Sequence, residues 1–443
     1  MDDLLPHQRH HIRARAATYR TNNPVFTRWA VGYGVIKHDD LTQVRVHDLL
    51  VYLVETGSIE SFEIGLKRFA AADKITCAAM WLVAHMTYAD QVYLDGRPLG
   101  STDFKADPQG HTGGALNIAV AYSGYMLANS LDGITRSWIM GQGHCVAAID
   151  AVNLLLKNMS EAQRDRYDLS DQGITQLVQD FYSYDINTEG QAASPLGSHV
   201  NPNTAGGIIE GGYLGFAELL YPHMPLKGER LVAFLSDGAF EEQRGSDWAA
   251  RWWRAEDSGL VAPIMIANGR RIDQRSTMAQ TGGVDWFRNH LKLNGFDPID
   301  IDGRDPASFA WAIFEIENRL SACSEACARG TGTYPVPLHY GIAETEKGFG
   351  FPGAGINAAH NLPLVQNPKT DDEARTRFNE GARKLHVPLE DLKKAAAELE
   401  THQDKAGPRS AIIPWHRGTR SCLSFLNQSG KIRREALSHQ WKA

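Results

Sequence analysis

Apolar residues recur at helical spacing over Val44–Glu55, Ser61–Ala72 and Ile75–Tyr93, so residues 1–105 read as a largely helical N-terminal extension. From 106 to 368 the pattern changes. Short apolar runs at Ser137–Met140, Leu231–Leu235, Ala262–Ala267, Asp297–Ile301 and Val336–Ile342 alternate with helical stretches and glycine-rich turns. Runs that are apolar on both faces predict buried strands of a parallel sheet, with helices on both faces, in an α/β fold. Residues 369–443 turn charged, with a helix expected at Leu389–Thr401 and a basic tail through His416–Arg420 and Lys431–Arg434. That segment reads as a linker or a surface for docking a partner. No internal repeat or low-complexity tract interrupts the chain.

The most informative stretch is Leu231–Asn268. Its first strand stops at Ser236-Asp237-Gly238, and its second stops at Asn268-Gly269, about one strand–helix–strand unit later. Two oxygen-bearing side chains, each beside a glycine at a strand's carboxyl end, suit a hard cation holding a diphosphate. Magnesium takes a few protein oxygens and draws others from phosphates. The glycines permit close backbone approach, and a helix opening after Gly238 would aim its amides at the phosphates. Ordinary turns are the alternative, because Asp-Gly and Asn-Gly are common turn dipeptides.

The bulk properties remove whole classes of function. Lys and Arg number 45 against 52 Asp and Glu, a net charge of −7, which gives no general attraction to nucleic acid or an anionic membrane. No uninterrupted apolar twenty-residue run is present, and the opening MDDLLPHQRHHIRARAATYR is too polar for a secretory signal. Five scattered cysteines fit a reduced, cytoplasmic chain better than a disulfide framework. Cys323 and Cys327 have helical spacing, yet no second Cys/His pair at zinc-finger spacing accompanies them. Trp248, Trp252 and Trp253 share one helical face and its edge, as core or subunit packing would require. His7, His10 and His11 suggest a mobile polar segment.

Four histidines stand in polar turns: Gly110-His111, Gly143-His144, Gly197-Ser198-His199 and Ala359-His360. Histidine donates or accepts protons near neutral pH, so several converging on one cleft could orient and protonate a polyhydroxylated substrate. Taken singly, each is more readily a solvated or structural histidine than a catalytic one. Cys145 beside His144 is either a reactive thiol or a small buried apolar group.

The segments GHTGGALN, IMGQGHC, PLGSH, GGIIEGGYLGF, SDGAFEE, MIANGRRI, TEKGFG and AAHNLPL, in that order between about Leu82 and Pro368, resemble the amino-terminal half of the thiamine diphosphate-dependent phosphoketolases. Transketolases share the general layout more distantly. The resemblance implies a thiamine diphosphate-binding domain of the diphosphate-holding (PP) type, with Asp237, Asn268 and the backbone oxygen of Arg270 as Mg2+ ligands. It implies Gly143, Glu210, Gly211, Gly238 and Ala239 as cofactor-lining residues. His111, His144, His199 and His360 would face the cofactor's reactive carbon and the hydroxyls of a donor sugar or sugar phosphate. Lys347 would lie near the diphosphate or the reacting centre. The implied activity is cleavage or transfer of a two-carbon ketol unit, an aldehyde-lyase or transferase reaction.

Several positions differ from the family pattern: Gln142 for proline, Cys145 for glycine, Ser236 for glycine, Ile209 for histidine and Ala239 for an acidic residue. They bear on the substrate more than on the cofactor. Residues 369–443 contain no counterpart of the second domain whose glutamate activates the cofactor. The expectation is a split enzyme whose pyrimidine-domain subunit is a separate chain in a hetero-oligomer. The alternatives are a transketolase-like subunit of a specialised pathway, a non-catalytic cofactor-binding or regulatory subunit, and an unrelated magnesium-dependent enzyme using Asp237.

Overall fold

The computed structural model describes residues 5–183, 185–186, 188, 190, 193, 230–238, 260–272, 274–333, 336 and 338–405. Its helical start comprises α1 (Pro6–Asn22), α2 (Pro24–Ala30), α3 (Asp40–Glu55) and α4 (Phe62–Tyr88). The middle runs α5 (Thr112–Asp132), β1 (Ser137–Met140), α6 (Val146–Leu155), α7 (Glu161–Arg166), α8 (Asp171–Asp180), β2 (Arg230–Ser236) and β3 (Leu260–Ala267). A small hairpin of β4 (Arg270–Arg271) and β5 (Gln274–Arg275) leads to α9 (Thr277–Thr281) and α10 (Gly283–Leu293). Then follow β6 (Phe296–Asp302), α11 (Pro306–Ala328), β7 (Leu338–Glu344), α12 (Asp372–Leu385) and α13 (Leu389–Lys405).

The main sheet has five strands in the order β1-β2-β3-β7-β6, every pair parallel. Strand registers place Phe234 beside Ile264 and Ile264 beside Gly341. That row faces α5 and α11, and Tyr125 of α5 meets Phe234 edge-on. Tyr340 points to the opposite face, where Phe287 of α10 and Phe296 pack against it. Helices therefore cover both faces, as the apolar runs required, and the α/β parallel-sheet class holds. All five expected strands are present. The last begins at Leu338.

The two helices expected at Ser61–Ala72 and Ile75–Tyr93 are one, α4, which ends at Tyr88. Asp73-Lys74 breaks the apolar spacing without breaking the backbone, because neither residue stops a helix. Asp73 is buried for a reason invisible at short range. The ring of His38, before α3, contacts Asp73 Oδ2 through Nε2 at 3.0 Å and Asp305 Oδ2 through Nδ1 at 2.7 Å. Trp29 stacks on the same ring. Burial alone would lower the His38 pKa, but the two carboxylates outweigh it and raise the pKa to about 10. Asp305 also caps α11 through the amide of Ala307. This ion triad pins the opening helices to α4 and to the start of α11.

At the amino edge of the sheet, fully buried Arg136 donates to Glu317 Oε1 at 2.7 Å and to Asp132 Oδ2 at 2.7 Å, and Arg230 donates to Glu317 Oε2 at 2.6 Å. Charge is thus neutralised at the end remote from the loops that follow the strands. Pro6–Asn22, holding His7, His10 and His11, is a helix rather than a mobile segment, and Arg15 pairs with Asp48 to hold it on α3. Cys323 and Cys327 lie on α11, half-buried against the core. The tryptophans at 248, 252 and 253, the helix expected after Gly238 and the basic tail lie outside the described residues. Among the described residues, no helix is long and apolar enough to cross a membrane.

Candidate functional site

Loops leaving the carboxyl ends of β1, β2, β3 and β7 meet at one edge of the sheet, beside the amino terminus of α5. Ligand sites of open parallel sheets form at such edges, because strand ends deliver side chains from loops that a rigid sheet aligns.

Asp237 follows β2 and is buried. Its Oδ2 accepts from the Gly269 amide at 2.7 Å and from Ser276 Oγ at 3.1 Å, while Oδ1 accepts from the Gly238 amide at 3.0 Å. Burial raises its pKa to about 6; the Gly269 amide, the positive charge of Lys347 and the Ser276 hydroxyl oppose the rise. Asn268, also buried, follows the neighbouring β3. Its Nδ2 donates to Asn117 Oδ1 at 3.2 Å, and its Oδ1 accepts from the Arg270 amide. The Arg270 carbonyl accepts from Lys347 Nζ at 3.4 Å. A Cβ on Gly238 would lie 3.5 Å from that carbonyl.

The second group is built on α5. His111 occupies the position before its first turn, His144 lies in the Gly143–Cys145 turn after β1, and His360 ends the Asn357–His360 turn. Ring centroids are 4.9 Å apart for His111–His144, 5.3 Å for His111–His360 and 5.6 Å for His144–His360. Two glycines allow this convergence. A Cβ on Gly113 would lie 2.1 Å from the Ala359 carbonyl oxygen, and one on Gly114 would lie 2.6 Å from Cys145 Sγ. Burial and the neighbouring positive charges keep all three rings neutral: His360 is lowered to about 3, His144 well below the usual range, and His111 is lowered too. His111 Nδ1 is buried and has no hydrogen-bond partner among the described residues.

Lys347 joins the two groups. It is buried, and Nζ lies 2.7 Å from His360 Nδ1 as well as 3.4 Å from the Arg270 carbonyl. The Arg270 guanidinium reaches across to Asn357 Oδ1 and the Gly355 carbonyl, tying the β4–β5 hairpin to the loop that carries His360.

The structure therefore brings together His111, His144, His360 and Lys347 on one side and Asp237, Asn268 and the Arg270 carbonyl on the other, with Gly143 and Gly238 in the supporting turns. His199, Glu210, Gly211 and Ala239 lie outside the described residues. Three supporting residues escaped the sequence reading. Ser276 holds Asp237, Asn117 holds Asn268 and donates to the Glu346 carbonyl at 2.9 Å, and the Arg270 side chain straps two loops. Ser276 had one local signal: its hydroxyl also accepts from the Ala279 amide as the cap of α9. Cys145 is buried, and burial pushes its thiol up to about 12, so it fills space as a protonated group.

A probable phosphoketolase of Methylococcus capsulatus is 25% identical over 319 residues, covering 67% of this chain and 38% of that protein. A probable phosphoketolase 2 of Lactiplantibacillus plantarum is 25% identical over 236 residues, covering 51% of this chain and 28% of that protein. The chain thus spans well under half the length of these curated relatives. Among solved structures, a transketolase from Leishmania mexicana is 16% identical, with a TM-score of 0.40, covering 79% of this chain and 49% of that one. The family model described as the XFP N-terminal domain matches residues 64–333, more than half of the chain, and the chain belongs to that family.

Proposed function

We propose that this chain is the diphosphate- and metal-holding half of a thiamine diphosphate-dependent enzyme that cleaves or transfers a two-carbon ketol unit of a sugar or sugar phosphate. The observation that carries the reading is the coupled geometry at the strand ends. A buried carboxylate, an amide oxygen and a carbonyl are linked through one lysine to three neutral imidazoles. The oxygen donors fit a hard cation: Asp237, the Asn268 amide and the Arg270 carbonyl are all oxygen ligands, and Asp237 Oδ1 keeps a lone pair beyond its single amide bond. Thiamine diphosphate, when bound, supplies an electron sink for breaking a carbon–carbon bond.

Within this reading the chain's own residues divide the labour. Asp237, Asn268 and the Arg270 carbonyl hold Mg2+, and Gly143 and Gly238, with Glu210, Gly211 and Ala239 from outside the described residues, complete the cofactor's lining. His111, His144, His360 and His199 bind the donor's hydroxyls and move protons on them. Neutral imidazoles suit that task, because each offers one donor and one acceptor nitrogen. A second polypeptide, a pyrimidine-domain subunit, supplies the activating carboxylate, and the working form is a cytoplasmic hetero-oligomer.

Native mass spectrometry of the chain isolated from its own cells, with thiamine diphosphate and Mg2+ present, tests the assignment. The expected result is a complex with a second protein that retains cofactor. A homo-oligomer that binds neither cofactor nor Mg2+ would overturn it.

A further inference from the structure

We infer that Thr112 is a positioning residue: its hydroxyl fastens the turn that carries His360 to the start of α5 and so sets the spacing between His111 and His360. Thr112 follows His111 in the chain, and its acceptor, Asn361, follows His360. Thr112 Oγ1 lies 2.7 Å from the Asn361 carbonyl oxygen, and the Thr112 amide donates to the same oxygen at 3.3 Å. An amide in the first turn of a helix has no partner inside that helix, so its donor is available to the neighbouring loop. Thr87 Oγ1, from the last turn of α4, stands 2.9 Å from Thr112 Oγ1. Both threonines are buried. A Cβ on Gly110 would come within 2.7 Å of the Thr87 hydroxyl, so glycine leaves room for the pair.

The donors and acceptors allow one direction along this chain of bonds. A carbonyl oxygen only accepts, and a hydroxyl carries one hydrogen. Thr112 therefore points its hydrogen at Asn361. Thr87 supplies the hydrogen between the two hydroxyls, with the Val83 carbonyl as a second acceptor at 3.2 Å. The loop beyond His360 depends on such fastening, because its own backbone is strained. Val365 has a φ of 69°, a left-handed conformation that costs a β-branched residue energy. It persists where the surroundings over-determine the backbone. The Tyr88 hydroxyl accepts from the Leu364 amide at 3.1 Å, and Asn367 Nδ2 donates to the Ala106 carbonyl at 2.9 Å. Of these ties, the Thr112 bond is the one adjacent to His360. Its bearing on turnover rests on the proposed function; the spacing does not.

The test is ring-to-ring nuclear Overhauser contacts in the full chain, with protonated histidines in a deuterated background. His111 and His360 are identified by comparison with His111→Gln and His360→Gln. The unaltered protein should show His111–His144 and His111–His360 contacts, between rings whose centroids are 4.9 and 5.3 Å apart. Thr112→Val keeps the shape of the side chain without its hydroxyl. It should lose the His111–His360 contact and keep the His111–His144 contact, and Thr112→Ser should restore both. Thr87→Val, which leaves the Thr112–Asn361 bond in place, should keep both. In the assembled enzyme, Thr112→Val should lower kcat about a hundredfold while changing cofactor affinity and donor KM far less, the scale of a small misplacement of a reacting group. Thr112→Ser should recover most of that rate. An unchanged His111–His360 contact in Thr112→Val, or its equal loss in Thr87→Val, would overturn the inference. So would its absence from the unaltered protein, a reading that needs no variant to fold. Absence of turnover in every form, with the ring contacts as expected, would instead strike the proposed function.

Discussion

The amide of Gly269 donates to Asp237 Oδ2 at 2.7 Å, so the loops after two neighbouring strands are fastened to each other at the residue proposed to hold the cation. Ser276 adds a hydroxyl to the same oxygen. Asp237→Ala should abolish Mg2+-dependent binding of thiamine diphosphate. Ser276→Ala should weaken Mg2+ binding about tenfold by freeing the carboxylate to rotate, the usual scale for a residue that orients a metal ligand. Isothermal titration with Mg2+ and cofactor measures both, and unchanged affinity in Asp237→Ala would remove the metal assignment.

Substitution of the imidazoles should separate binding from turnover. His144→Ala and His360→Ala leave the oxygen donors untouched, so cofactor affinity should stay within about threefold while turnover falls about 10²–10⁴-fold. Steady-state kinetics of the assembled enzyme checks this. A wild-type rate in either variant would exclude proton transfer by that ring.

Close approach of α5 to the His360 turn depends on Gly113. A methyl group there would meet the Ala359 carbonyl oxygen at 2.1 Å and Lys347 Cγ at 2.9 Å, and neither belongs to a freely swinging tip. Gly113→Ala should destabilise the fold by about 1–3 kcal/mol, the range for overpacking, and should disturb the His111 and His360 ring signals. Urea unfolding with histidine-ring NMR reads both effects.

The His38 triad predicts a pH dependence remote from the site. The His38 pKa is raised above its ordinary value, so its stabilisation is fully present below about pH 6.5 and is lost as pH rises through 10. The charged groups acting on it are Asp305, whose own pKa burial raises to about 6, and Asp73, with Lys37 acting on Asp73. A comparison above pH 7 lies above the Asp305 value, while burial raises Asp73 as well. His38→Gln should cost about 3–5 kcal/mol at pH 7, because two carboxylates lose their buried partner, and the loss should shrink toward pH 10. Unfolding at several pH values measures the slope, and a constant difference across that range would refute the charge assignment.

The strands were legible because each is a short run without polar interruption, and Asp237 and Asn268 because they end two such runs beside glycine. His111, His144 and His360 were legible as turn histidines, but their mutual distances were not, since α5 and two strand ends bring them together. Long-range pairing hid the rest. Asp73 looks like a break between helices until His38 meets it. Asn117, mid-helix, carries no local sign of its contact with Asn268, and nothing near Lys347 indicates which ring it addresses. Polar residues whose partners are distant in sequence look alike whether they are solvated or buried.

Asp237 and Asn268 follow β2 and β3, while the imidazoles hang from β1, α5 and the loop after β7, and Lys347, Asn117 and the Arg270 side chain tie the two sets together. Both unusual residues lie in the turn after β1: Gln142 donates to the Leu235 carbonyl of β2 at 2.8 Å, and Cys145 packs under Gly114. Under the proposed function, selectivity for the donor can change in that turn while Asp237 and Asn268 keep their places at the ends of β2 and β3.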